Sequence, residues 1–181
     1  MESGRIETVC FTGHRDIPKM QAVLIPIKLK KILESLIERG ACHFRVGGAV
    51  GFDTVAALCI LELKEKHPHI KLDLKLPCRD QTKSWSDNEK KVYDYILSQA
   101  ESVEYVTDHY TPWCMHERNR RLVNGSHVCI AYLTQSRGGT AYTFGYALEK
   151  GLEVINIAES RPPVKPVACT APIRGNYRRS P

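Results

Sequence analysis

The strongest constraint on the fold is an alternation: short apolar runs are separated, again and again, by longer amphipathic segments. Strand-like runs fall at residues 7–11, 43–46, 70–76, 103–106, 127–133 and 152–157. Between them, helical periodicity covers 19–39, 52–66, 87–100, 115–123 and 139–150. Six strands interleaved with five helices predict an α/β domain, a Rossmann-like, doubly wound, mostly parallel sheet with helices on both faces. The segment 19–39 offers a broad apolar face of Leu24, Ile27, Leu29, Ile32, Leu33, Leu36 and Ile37, with Pro26 expected to break or kink its early part. Residues 70–76 alternate apolar and polar, which suggests a strand wet on one face near a sheet edge and closed by Pro77.

At 181 residues the chain suits one domain, expected over 1–158, followed by a basic, proline-rich and flexible tail at 159–181. The tail holds Arg161, Lys165, Arg174, Arg178 and Arg179 against Glu159, so most of the net charge of +6 lies there. The body is only slightly basic, so nucleic acid is disfavoured as a partner except through the tail. The seven cysteines are odd in number, include no C-x-x-C pair and sit largely in apolar runs, as buried reduced thiols do. A zinc site from Cys78, Cys114 and His116 has no support from ligand spacing, and no metal is expected. No signal peptide and no membrane-length apolar run occurs, so the expected location is the cytoplasm, with no membrane partner.

In an open parallel sheet, ligands bind at the carboxyl ends of the strands, near the reversal of strand order. Three glycine-bearing loops fall at such ends. The first is Thr12-Gly13-His14-Arg15-Asp16, where Arg15 can pair with a phosphate and His14 can donate a hydrogen bond; it reads equally as a turn with solvated charges. The second is Gly47-Gly48-Ala49-Val50-Gly51-Phe52-Asp53, with paired glycines entering a helix as an anion-binding nest requires. It lacks the P-loop lysine, which excludes a Walker-type site, and Asp53 suits a helix cap or a ribose contact. The third is Ser136-Arg137-Gly138-Gly139-Thr140, in which the glycines admit a phosphate and Thr140 can cap the helix or donate to a phosphate oxygen. Trp85 is a candidate for stacking on a base, or an ordinary packed aromatic. Arg118 and Asn119 can point from one helical face into the cleft, and Glu117 beside them suits the helix dipole.

Taken together, Thr12-Gly13-His14-Arg15, Gly47-Gly48-Ala49-x-Gly51-x-Asp53, Arg118-Asn119 and Gly138-Gly139-Thr140 resemble the YpsA-like branch of the SLOG superfamily over residues 5–157. That superfamily also includes the LOG phosphoribohydrolases and the DNA-processing protein A group. The resemblance implies a Rossmann-like sheet that binds nucleotides or their derivatives. It also implies a bacterial sensor or binder of ADP-ribose-like or NAD-like ligands, with roles suggested in stress, division and phage conflict. Met115-His116-Glu117-Arg118 matches the hydrolases' Met-x-x-Arg, but Asn119 replaces their lysine and Thr143 stands where they have a catalytic glutamate. His127 stands where related chains usually carry an aspartate. Glycosidic cleavage needs a carboxylate, and only Glu117 and Asp53 remain as candidates, Glu117 being the weak catalytic one.

The leading expectation is therefore binding or sensing of a small nucleotide derivative, without a required cofactor, by a chain that can form a homodimer. N-glycosidic hydrolysis and single-stranded DNA binding are the alternatives.

Overall fold

The computed structural model describes residues 6–158; the basic tail expected at 159–181 and Cys169 lie outside them. Among the described residues, strands and helices alternate without exception: β1 (Thr8–Gly13), α1 (Lys19–Glu38), β2 (His43–Val46), α2 (Phe52–Lys64), β3 (Lys71–Cys78), α3 (Asp87–Gln99), β4 (Ser102–Thr107), α4 (Cys114–Val123), β5 (Val128–Tyr132), α5 (Gly139–Glu149) and β6 (Glu153–Asn156). The strands form a single six-stranded sheet in the order β4-β3-β2-β1-β5-β6, every pairing parallel. The chain thus steps outward from β1 to one edge, returns across the sheet through α4, and continues from β5 to the other edge. The reversal lies between β1 and β5, which are in register from Val9↔Val128 to Gly13↔Tyr132.

Two cores sandwich this sheet. On one face, Val9, Phe11, Phe44, Val46, Leu72, Leu74, Leu76, Val128 and Ile130 pack with side chains of α1, α2 and α3. On the other, Cys10, Cys129 and Val154 pack with Leu122 and Val123 of α4 and Ala147 of α5. Side chains alternate across the strands, so the central strands β1 and β5 feed both cores. Cys10, Cys42, Cys59, Cys78, Cys114 and Cys129 are free thiols. Burial pushes the Cys59 thiol up to about 11 and the Cys78 thiol up to about 12. No described helix is long and apolar enough to cross a membrane.

Three local expectations are corrected. Pro26 lies inside α1, which runs through it unbroken. Its missing N–H and ring clash cost about 3 kcal/mol, but Ile25, Leu29, Leu33 and Leu36 are wholly buried on the same helix, each contributing roughly 1.5–3 kcal/mol. The buried stripe follows those residues, so Leu24 and Ile27 are exposed instead of joining the core. Strand β3 runs past Pro77 to Cys78 and lies one strand in from the edge strand β4, near the sheet edge as expected. The polar residues of β3 face neighbouring strands: Asp73 meets His43 and Ser102, and Lys75 meets Glu104.

Candidate functional site

A cavity of about 290 Å³ opens at the carboxyl end of β1, beside the reversal in strand order. Its floor is the end of β1 and the loop after it, Phe11 to Arg15. Ala49 and Asp53 come from the β2–α2 loop and the first turn of α2. Met115, Arg118, Asn119 and Leu122 form a wall from α4, and Gly139 and Thr140 close the cavity from the start of α5. The three loops singled out in the sequence therefore meet at one rim.

They do not meet on equal terms. In the second loop, Gly47 lies directly beneath the Arg118 guanidinium and the Asp53 carboxylate, so any side chain there would collide with both. Gly51, at φ +85°, is pressed against the Arg15 backbone. Gly48 faces Leu76, away from the cavity. None of these three glycines lines the cavity; they are small so that other groups can pass. Two of the loop's amides are taken by protein groups: Ala49 N–H donates to Asp53 Oδ2 at 3.2 Å, and Phe52 N–H to the His14 carbonyl at 3.1 Å. Asp53 does not cap α2, whose N-cap position is held by Gly51; it sits in the first turn and closes the loop behind it.

The third loop is built oppositely. Gly138, at φ +95°, is the N-cap of α5, and no side chain caps that helix. The amides of Gly139, Thr140 and Ala141 have no hydrogen-bond partner among the described residues. Thr140 is inside the helix rather than its cap and lines the cavity. The segment before it is tied at both sides. Thr134 N–H donates to His14 Nε2 at 3.0 Å, which in the neutral ring places the proton on Nδ1. Asn156 Oδ1 accepts from Leu133 N–H at 3.0 Å, while its Nδ2 donates to the Leu133 carbonyl at 2.9 Å.

Charge in the cavity is dominated by one pair. Asp53 and Arg118 are only 6 % and 8 % exposed, and Arg118 Nη1 lies 3.8 Å from Asp53 Oδ2, close in charge but beyond a hydrogen bond. Arg118 Nη1 instead donates to the Gly47 carbonyl, and Nε donates to Asn119 Oδ1 at 2.8 Å. Nη2 has no partner among the described residues. Burial pushes the Asp53 carboxyl above the usual carboxylate range, partly offset by Arg118. Burial also pulls Arg118 below its ordinary value, against the pull of Asp53, and the nearby Arg15 adds to that lowering. Two cations thus face one carboxylate in a partly enclosed space, an arrangement complementary to an anion.

Several candidates fall elsewhere. Trp85 packs edge-on against Tyr93 with centroids 5.5 Å apart and does not line the cavity. Glu117 accepts from Arg121 Nε at 3.0 Å, and Arg121 also reaches Glu104; this carboxylate points to β4, not into the cavity. His127 is at the amino end of β5, where Nδ1 accepts from Thr8 N–H at 3.2 Å, so a ribose contact at that position is ruled out by place. Thr143 is fully buried, its hydroxyl donating to the Gly139 carbonyl at 2.8 Å. Cys78 and Cys114 are neighbours, but His116 stands edge-on to Tyr142 on the outer face, so the three do not converge. Met115 and Leu122 were missed as cavity residues. The signal was available, since Met115, Arg118, Asn119 and Leu122 follow the i, i+3, i+4, i+7 spacing of one helical face.

Known proteins share this architecture. DNA processing protein A (DprA) from Streptococcus pneumoniae superposes with a TM-score of 0.61 at 19% identity, over 82% of this chain and 49% of that one. The chain therefore spans about half of that protein's length. DNA processing protein A from Helicobacter pylori, solved for its single-stranded DNA binding mode, gives 0.59 at 18% identity, over 82% of this chain and 63% of the other. At such identity the likeness is one of fold. In sequence, the chain is 32% identical over 133 residues to the uncharacterized SPbeta prophage-derived protein YoqJ of Bacillus subtilis (strain 168), covering 66% of this chain and 78% of that protein. It is 30% identical over 146 residues to a UPF0398 protein of Bacillus pumilus (strain SAFR-032), covering 75% and 77%. The pattern of the YspA SLOG family matches residues 11–154, and with the parallel sheet and the converging loops it establishes that the chain belongs to that family.

Proposed function

We propose that the cavity binds the phosphate-bearing part of a nucleotide derivative, and that the protein acts as a binder or sensor of that ligand. The observation that carries this reading is the start of α5. The amides of Gly139, Thr140 and Ala141, without a partner among the described residues, stand at the edge of a cavity that also presents Arg118 and Arg15. A helix N-terminus with free amides and a nearby cation suits a phosphate group. Met115, Leu122 and Phe11 supply apolar surface for the rest of the ligand. A volume near 290 Å³ is at the small end for ligand pockets, so part of a dinucleotide-sized ligand would extend outside. Binding rather than hydrolysis is supported by the lining: Asp53 is its single carboxylate, held between Ala49 N–H and Arg118, and Thr143 offers neither acid nor base.

A second reading is that the phosphate belongs to a single DNA strand. It is favoured by the fold shared with a DNA processing protein A described by its single-stranded DNA binding. Calorimetric titration of the purified chain with ADP-ribose, NAD, nucleoside monophosphates and a short oligonucleotide separates the two. A small ligand that binds, and loses affinity on Arg118→Met, supports the first reading. Binding by the oligonucleotide alone, steeply weakened by salt, replaces it with the second. Release of free base from a nucleoside monophosphate, lost on Asp53→Asn, would overturn the binder assignment altogether.

A further inference from the structure

The opposite, amino edge of the sheet carries a second cluster of chemistry-bearing side chains. Glu7, just before β1, and Cys42 and His43, entering β2, each offer one ligand atom, and these atoms lie within 4.8 Å of one another. No other trio of His, Cys, Asp or Glu among the described residues comes together in this way. The backbone fixes their placement. The Glu7 carbonyl accepts from both Cys42 N–H and His43 N–H at 3.0 Å, and Lys71 N–H holds the Cys42 carbonyl at 2.8 Å. Cys42 and His43 are half-buried, so neither wanders freely in solvent.

The support behind the imidazole sets this trio apart from a chance polar cluster. His43 Nδ1 lies 2.8 Å from Asp73 Oδ2, and Asp73 Oδ1 accepts from Ser102 Oγ at 2.5 Å. Asp73 is itself only 8 % exposed. A carboxylate on Nδ1 makes that nitrogen the proton donor, which leaves the lone pair on Nε2 and fixes the ring's orientation. Metal-ligating histidines are held in the same manner.

We infer that Glu7, Cys42 and His43 form a site for a divalent transition metal ion of the zinc class, with Asp73 as its positioning residue. The thiolate and imidazole select against Mg²⁺ and Ca²⁺, which take oxygen ligands, and one S, one N and one O donor suit Zn²⁺. Three protein ligands leave a fourth position for water or for a group from outside. A groove of about 480 Å³ lined by His43, Asp73, Arg45 and Lys75 gives access from the His43 side. The site lies roughly 20 Å from the phosphate cavity, the length of a six-residue strand, so it stands or falls independently of the nucleotide reading.

Co²⁺ titration of the reduced, full-length chain tests the site directly. The expected result is saturation at one equivalent, with an intense near-ultraviolet thiolate-to-cobalt absorption that Zn²⁺ displaces. Cys42→Ser abolishes that absorption, His43→Gln weakens binding strongly, and Asp73→Asn weakens it by roughly 10- to 100-fold. Cys78→Ser, beside Cys114 and outside the cluster, leaves the absorption in place. Thermal unfolding of each metal-free variant checks the fold, and the wild-type spectrum is decisive even where a variant fails to fold. Failure of the wild type to bind Co²⁺ against a weak chelator, binding without the thiolate band, or a band that survives Cys42→Ser would each overturn the assignment.

Discussion

The loops at 47–53 and 136–140 share paired glycines but are packed in opposite ways. Both place glycines at the carboxyl end of a strand and lead into a helix. In the first, the glycines are clearances: Arg118 passes over Gly47, the Arg15 backbone presses on Gly51, and the amides of Ala49 and Phe52 are taken by Asp53 and His14. In the second, nothing lies within 4 Å of where a Gly138 side chain would begin, and the α5 amides face open space. The two loops thus differ in what surrounds their glycines: close packing in the first, open space in the second.

The sharpest way to break this contrast is substitution in each loop. Arg118→Met removes the cation from a buried pair, and the uncompensated Asp53 should cost about 3–5 kcal/mol of stability. Adding Asp53→Asn should recover much of that loss, while ligand affinity stays low; urea unfolding and calorimetry read the two effects apart. Gly51→Ala should cost about 2–4 kcal/mol, from a positive φ plus overpacking on Arg15, measured as a lowered unfolding midpoint.

Gly139→Pro probes the other loop. Proline is tolerated at the first helical position, so stability should change by less than about 1 kcal/mol. Phosphate-ligand affinity should fall roughly 10- to 150-fold, since one hydrogen bond to a charged group is worth about 1.5–3 kcal/mol. An unchanged affinity would show that the α5 amides are not the anion's partners.

The smallest effect tests the start of α3, a helix closed by its own side chains. Ser86 Oγ accepts from Glu89 N–H, and the Glu89 carboxylate accepts from Ser86 N–H at 2.8 Å. Ser86→Ala should cost about 1 kcal/mol. The Ser86 hydroxyl, donating to Glu89 Oε2 at 2.6 Å, and secondly the Ser86 N–H hold the Glu89 carboxyl below the usual carboxylate range. Its contribution is therefore present above that range and is lost as pH falls through the depressed value. An unfolding midpoint followed against pH in wild type and Ser86→Ala should show the two curves converging in acid.

The order and type of every element were legible in the sequence, because the apolar runs have the right length and period. So was the convergence of three loops, which follows from a parallel sheet. The division of labour between the loops was not. It depends on Arg118, 71 residues from its partner Gly47, and no local pattern announces which residue will cross which turn. Glu117 and Trp85 each admit two readings from sequence, for a related reason. Each lies beside the site along the chain, but Arg121 and Tyr93 hold them elsewhere. Pro26 shows burial overriding a local rule.

The return of the chain from β4 to β5 has a consequence for how the protein comes to be. Helix α4 is both that crossing and the carrier of Arg118. An assembly intermediate holding β1 to β4 alone would leave the Asp53 carboxylate without Arg118, with Arg15 as its remaining nearby cation. Synthesis from the amino end leaves this cavity unfinished until α4 has crossed the sheet and α5 has followed β5, so its closure reports completion of the crossover itself.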